Sequence, residues 1–106
     1  MKVAIPTPLR SYTTGASAVV AHGTTLDEVL HDLDRQFPGI RFRVVDEQGR
    51  LRRHMRIFVD DDMVRDLATA VRDDHVVTLM QALSGGAGPA DGGQRVDRSV
   101  RRYTNQ

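Results

Sequence analysis

The sequence predicts an α+β domain, a mixed sheet with one main helix packed on one face, followed by a C-terminal tail without structure of its own. Three observations carry that prediction. Leu26, Val29, Leu30, Leu33 and Phe37 recur at helical spacing, while several shorter runs alternate with a period of two. The helix falls after two such runs and before the others, an order in which one amphipathic helix covers one face of a sheet. Beyond Gly86 the chain offers little to bury: Gly88, Pro89, Gly92 and Gly93, then charges, with Val100 and Tyr103 among its few sizeable apolar residues.

The elements follow in order. Lys2-Val3-Ala4-Ile5 alternates and Pro6 ends it, giving a first strand with Val3 and Ile5 inward. Pro8 to Gly15 is rich in turn formers and reads as a loop. Residues 17–22 are short and β-branched, a second strand and hairpin partner of the first. Thr25 opens the helix as a capping box: its hydroxyl accepts from the N–H of Glu28, and Glu28 reaches back. Asp27 and Glu28 suit the positive end of the helix dipole, and Pro38-Gly39 stops the helix.

The alternation Arg41-Phe42-Arg43-Val44-Val45 predicts a third strand, and Asp46-Glu47-Gln48-Gly49-Arg50 a turn. Residues 55–59 form a fourth strand, with Ile57 and Val59 on one face and Phe58 on the other. Asp60-Asp61-Asp62 makes a tight turn, 63–65 a short edge strand, and the stretch through Leu67 a connector. The last strand starts at Val76. Val77, Leu79 and Leu83 face one way, Val76, Thr78 and Met80 the other, and the run ends in Ser84-Gly85-Gly86. The first and last strands are expected side by side in the middle. One helix leaves the other sheet face uncovered, so Phe58, Val76, Met80 and Leu83 form either a partner-docking patch or a scatter of exposed apolar residues.

Composition bounds the function. A chain of 106 residues supports one small domain, here 1–86, with 87–106 as a flexible extension. No run is apolar enough to span a membrane, and the N-terminus lacks a signal-peptide pattern, so a cytoplasmic location is expected. Cysteine is absent, which excludes disulfides, a thiol nucleophile and thiolate metal sites. A net charge of +1 argues against a nucleic-acid binder. The cluster Arg41, Arg43, Arg50, Arg52, Arg53 and Arg56 reads as solvated faces and turns, or as a docking face for an acidic partner.

Catalytic sets are missing. His22, His31, His54 and His75 have no metal-ligand spacing, Lys2 is the only lysine, and the aspartate triplet lacks the alternating ligands of a calcium loop. The chain is therefore expected not to be an enzyme, nor to hold a metal or cofactor. The glycine pair behind the last strand reads either as a hinge or as a slim tip: without Cβ atoms, Gly85 and Gly86 fit a narrow channel in another protein.

Ile5-Pro6-Thr7-Pro8-Leu9-Arg10, Thr24-Thr25-Leu26, Ile57-Phe58-Val59-Asp60-Asp61, the stretch Leu67-Ala68-Thr69-Ala70-Val71-Arg72-Asp73, and Val77-Thr78-Leu79 through Ala82-Leu83-Ser84-Gly85-Gly86 resemble the MoaD/ThiS family of ubiquitin-like sulfur carriers. The branch they resemble most is the one serving protein-dependent cysteine biosynthesis, and the likeness covers residues 2–86. It implies a β-grasp fold. It also implies that an E1-like adenylating enzyme, using ATP and magnesium, activates the terminal glycine carboxylate, which then becomes a thiocarboxylate for a sulfur-accepting synthase. On this chain that carboxylate belongs to Gly86, with Ser84 and Gly85 as the approach.

One departure matters. Residues 87–106 follow Gly86, and an internal peptide carbonyl cannot be adenylated as a carboxylate. Either a processing metalloprotease removes the tail, or the tail stays and the chain is a ubiquitin-like interaction module without sulfur, or part of the tail is an altered end of the reading frame.

Overall fold

The structure, a computed structural model, describes residues 1–82. Its sheet is mixed and five-stranded: β1 (Lys2–Ala4), β2 (Ala18–Val20), β3 (Met55–Val59), β4 (Asp62–Val64) and β5 (Val76–Gln81), in the order β2-β1-β5-β3-β4. β1 and β5 run parallel at the centre and the other pairings are antiparallel. The first and last strands are neighbours, as expected, and β1–β2 is the expected hairpin, extended by Met1 and Ala21 through paired backbone bonds.

Helix α1 (Leu26–Gln36) covers one face. Leu26, Val29, Leu30 and Leu33 are fully buried against Val3, Ile57, Val77 and Leu79 from the inward rows of the strands. Burial of this kind is the main stabilising term for a small domain, at about 25 cal/mol per Å² of apolar surface. The helix start is well supplied with acceptors. Thr25 Oγ1 accepts from Glu28 N at 3.2 Å. Glu28 turns back one residue further than the capping box predicts, accepting from the backbone and hydroxyl of Thr24, each at 2.8 Å. Leu26 N and Asp27 N donate to the carbonyls of Thr69 and Leu67, so the connector before β5 satisfies helix-start donors that otherwise lack partners.

The predicted strand at 41–45 is a helix. α2 (Ile40–Val44) starts from Gly39, whose φ of 99° turns the chain sharply after α1. Asp34 Oδ1 accepts from Gly39 N at 3.0 Å and Arg41 N at 3.1 Å, fixing that start. Ile40 and Val44, four apart, are both fully buried. A run this short satisfies both periods, and what separated them was the left-handed glycine and the distant Asp34 carboxylate. Phe42 is 53% exposed beneath the Arg52 guanidinium, 4.6 Å from its ring centre.

The remaining turns follow their chemistry. Asp46 Oδ1 accepts from Gln48 N and Arg50 N, and Gly49 takes a φ of 80°. Asp60 and Asp61 are the two loop residues of the β3–β4 hairpin, in which Val59 pairs with Asp62. Asp60 has a φ of 52° and holds the start of β5 by exchanging bonds with Val76.

Candidate functional site

The site is built on β5, the strand shared by the core and the open face. Val77 and Leu79 point to α1 and are buried, whereas Val76 and Met80 are 37% and 48% exposed on the opposite face. β3 alternates the same way: Met55, Ile57 and Val59 are buried, and Phe58 is half-buried on the open side. Register fixes the neighbours there. Phe58 lies opposite Thr78, midway between Val76 and Met80, and Met80 lies opposite Arg56. Three of the expected docking residues thus share one uncovered face.

The pairing adds two that sequence patterning missed. Met63 on β4 is the register partner of Phe58 and is 57% exposed. Val20 on β2 joins Val76 through Lys2 and is 58% exposed. Met63 was within reach of the sequence, since a two-residue turn at Asp60-Asp61 sets it across from Phe58. Val20 was not, because the long loop between β1 and β2 leaves open their register, and with it the face that Val20 takes.

The ladder also defines where the chain leaves the sheet. Gln81 pairs with Met55, and Ala82 N donates to His54 O at 2.7 Å, beyond the last residue of the strand. Backbone pairing to the β3 side therefore holds the chain up to Ala82. The tip residues Leu83, Ser84, Gly85 and Gly86, and the boundary between 86 and 87, lie outside the described residues. Five residues, Ala82 to Gly86, span at most about 14 Å when fully extended.

Among the described residues no group of three or more histidines and carboxylates is placed to hold a metal ion, and no helix is long and apolar enough to cross a membrane. The carboxylates held below their ordinary values sit at turns, at the start of α1 and, for Asp32, in the body of that helix. Glu28 is lowered by the Thr24 backbone and hydroxyl, Asp46 by the backbone of Arg50 and Gln48, and Asp32 by Arg35 and the backbone of His22. These serve local structure and do not converge on the open face.

A mixed five-stranded sheet with its end strands adjacent at the centre and one helix across it is the β-grasp, ubiquitin-like fold. The ThiS family matches residues 3–86, and the chain belongs to that family. It is 43% identical over 89 residues to the sulfur carrier protein CysO of Mycobacterium tuberculosis, covering 79% of this chain and 96% of the relative. The crystal structure of that CysO superposes with a TM-score of 0.74 at 41% identity, over 77% of this chain and 98% of the other. CysO in a crystal structure of the Amycolatopsis orientalis BexX/CysO complex gives a TM-score of 0.75 at 36% identity, over 80% and 98%. The chain is thus a homologue of sulfur carriers, and the expectation that it is not itself an enzyme agrees with the family, whose members of this type are small carriers.

Proposed function

We propose that this chain is the pro-form of a sulfur carrier whose reactive group is the main-chain carboxylate of Gly86, uncovered when residues 87–106 are removed. The observation that carries the reading is where the likeness stops: the family match runs from residue 3 to residue 86, closing on the glycine pair that follows β5. The open face supports it. Val76 and Met80 lie on the strand that leads to the tip and Phe58 beside it, so a partner seated on them receives the chain end in a defined direction.

The chemistry is that of a poor acyl donor given a leaving group. The uncovered Gly86 carboxylate attacks the α-phosphate of ATP on an E1-like adenylating enzyme, forming an acyl adenylate and releasing pyrophosphate. A sulfur nucleophile then displaces AMP, and the chain end becomes a thiocarboxylate. ATP and magnesium belong to the activating enzyme; this chain binds no cofactor of its own. Removal of the tail falls to a processing metalloprotease. The sulfur passes to a synthase making cysteine, a thiamin precursor, molybdopterin or a secondary metabolite, and that CysO of Amycolatopsis orientalis forms a complex with BexX supports a protein acceptor. The setting is the cytoplasm, where the activating enzyme and ATP are found together.

The test is pyrophosphate exchange catalysed by the host adenylating enzyme, with the full chain and the chain ending at Gly86 compared as substrates. The expected result is exchange with the shortened chain alone. Exchange with neither contradicts the proposal and leaves a ubiquitin-like interaction module that keeps its tail.

A further inference from the structure

The two ends of the sheet carry opposite charge, and the end where β5 leaves is the basic one. β3 enters there from the turn that contains Arg53 and His54, and the His54 carbonyl takes the Ala82 N–H, the last backbone bond described along the departing chain. Arg56 follows on β3, Arg65 stands just past the end of β4, and Arg10 reaches in from beyond β1. At the opposite end lie the hairpin aspartates Asp60–Asp62 and the pair Asp73-Asp74, which outnumber Lys2 on β1 and Arg72, the ion-pair partner of Asp74.

The basic groups are held, and their charge is not spent. Arg10 Nε donates to Ile5 O at 2.9 Å. Arg56 Nη1 donates to Arg53 O at 2.7 Å and Met55 O at 3.0 Å, and Arg65 donates to Met55 O and Leu51 O, each at 3.2 Å. Carbonyl anchors fix a guanidinium while leaving its charge and other N–H groups available. Among the described residues the ion pairs are His31–Asp27, Arg35–Asp32, Arg41–Asp27 and Arg72–Asp74; none involves Arg10, Arg53, Arg56 or Arg65.

We infer that these arginines form a basic collar around the exit of the C-terminal strand, which docks on an acidic rim at the mouth of the partner protein's channel. The inference rests on the carrier reading above and names the chemistry of the surface that receives the tip. A protein fits the collar better than a nucleic acid. Arg56 is the register partner of Met80, so the positive groups adjoin the apolar face, as at a protein interface with an apolar centre and a polar rim. The carboxylates at the far end repel an extended polyanion but orient the whole molecule tip-first toward a compact acidic mouth.

The test measures association of the chain ending at Gly86, with wild-type or variant collar, with the host adenylating enzyme by stopped flow, between about 20 and 300 mM NaCl, a range over which the screening length falls severalfold. The expected association rate of the wild type falls at least about tenfold across that range. The variant Arg53→Glu/Arg56→Glu associates at least about tenfold more slowly at low salt, with a flattened salt dependence. Arg53→Glu alone, at an exposed side chain whose residue contributes only its backbone carbonyl to the Arg56 anchor, gives a smaller loss of the same sign and guards against a folding defect. Asp61→Lys/Asp73→Lys, at the other end, slows association by less than the collar variant.

Equal rates and equal salt slopes for wild type and collar variants overturn the collar while leaving the carrier reading intact. Binding of a 20-nucleotide RNA that the collar variant loses, with enzyme association unchanged, overturns it in favour of nucleic acid. A chain ending at Gly86 that never associates with the enzyme overturns the carrier reading itself, and the collar with it.

Discussion

Adjacent residues on β5 are assigned opposite duties, and truncating each in turn separates core from docking surface. Leu79 is 2% exposed beneath α1, between the central strands. Leu79→Ala removes buried methyl groups and leaves a cavity, a loss of about 3 kcal/mol. In a domain of this size each kcal/mol moves Tm by about 4–8 °C, so the midpoint falls by about 12–24 °C. Met80 points the other way and is 48% exposed. Met80→Ala therefore costs about 1 kcal/mol or less, because half of the side chain already stands in water. Its effect is expected in recognition: as an exposed apolar residue of the patch, next to the strand's exit, it weakens association with the adenylating enzyme about tenfold. Thermal unfolding followed by circular dichroism gives the first quantity and titration calorimetry the second. Equal Tm losses for the two variants refute the assignment of faces, and unchanged association for Met80→Ala refutes the patch.

Other outcomes follow from local chemistry. Thr25→Ala removes the acceptor for Glu28 N and lowers stability by about 1 kcal/mol in urea unfolding, with an unchanged m-value. Gly39→Ala forces a side chain into a φ of 99° and puts its Cβ 3.1 Å from the Tyr12 ring, for a loss of at least about 1 kcal/mol by the same measurement. Glu28, Asp32 and Asp46 have folded pKa values below their unfolded ones, so their stabilisation is present above the ordinary carboxylate range and lost as pH falls through the lowered folded values. Tm is expected to drop below about pH 4, and Glu28→Gln, which keeps an acceptor oxygen but does not titrate, is expected to shallow that drop.

The strands and main helix were legible because their burial has one dominant period. Ile57 and Val59 against Phe58, and Val77 and Leu79 against Val76 and Met80, are sorted as the alternation predicts. The stripe from Leu26 to Leu33 is buried throughout, and the partly buried Phe37 packs at its end. Where the reading failed, the deciding contact was remote. Residues 41–45 alternate like a strand, but Asp34 on the preceding helix caps them into a helical turn. Glu28 bonds Thr24 rather than the cap residue, a choice between neighbours that sequence spacing does not resolve. The open face was half legible. Its members on β3 and β5 follow from alternation, while Val20 and Met63 join it only through strand order and register.

The direct test of the carrier account is the intact mass of the chain isolated from its native host during sulfur assimilation. The account predicts a species ending at Gly86, together with one heavier by about 16 Da, the difference left when sulfur replaces one carboxylate oxygen. A population consisting of the full 106-residue chain alone, with the adenylating enzyme present in the same cells, contradicts it.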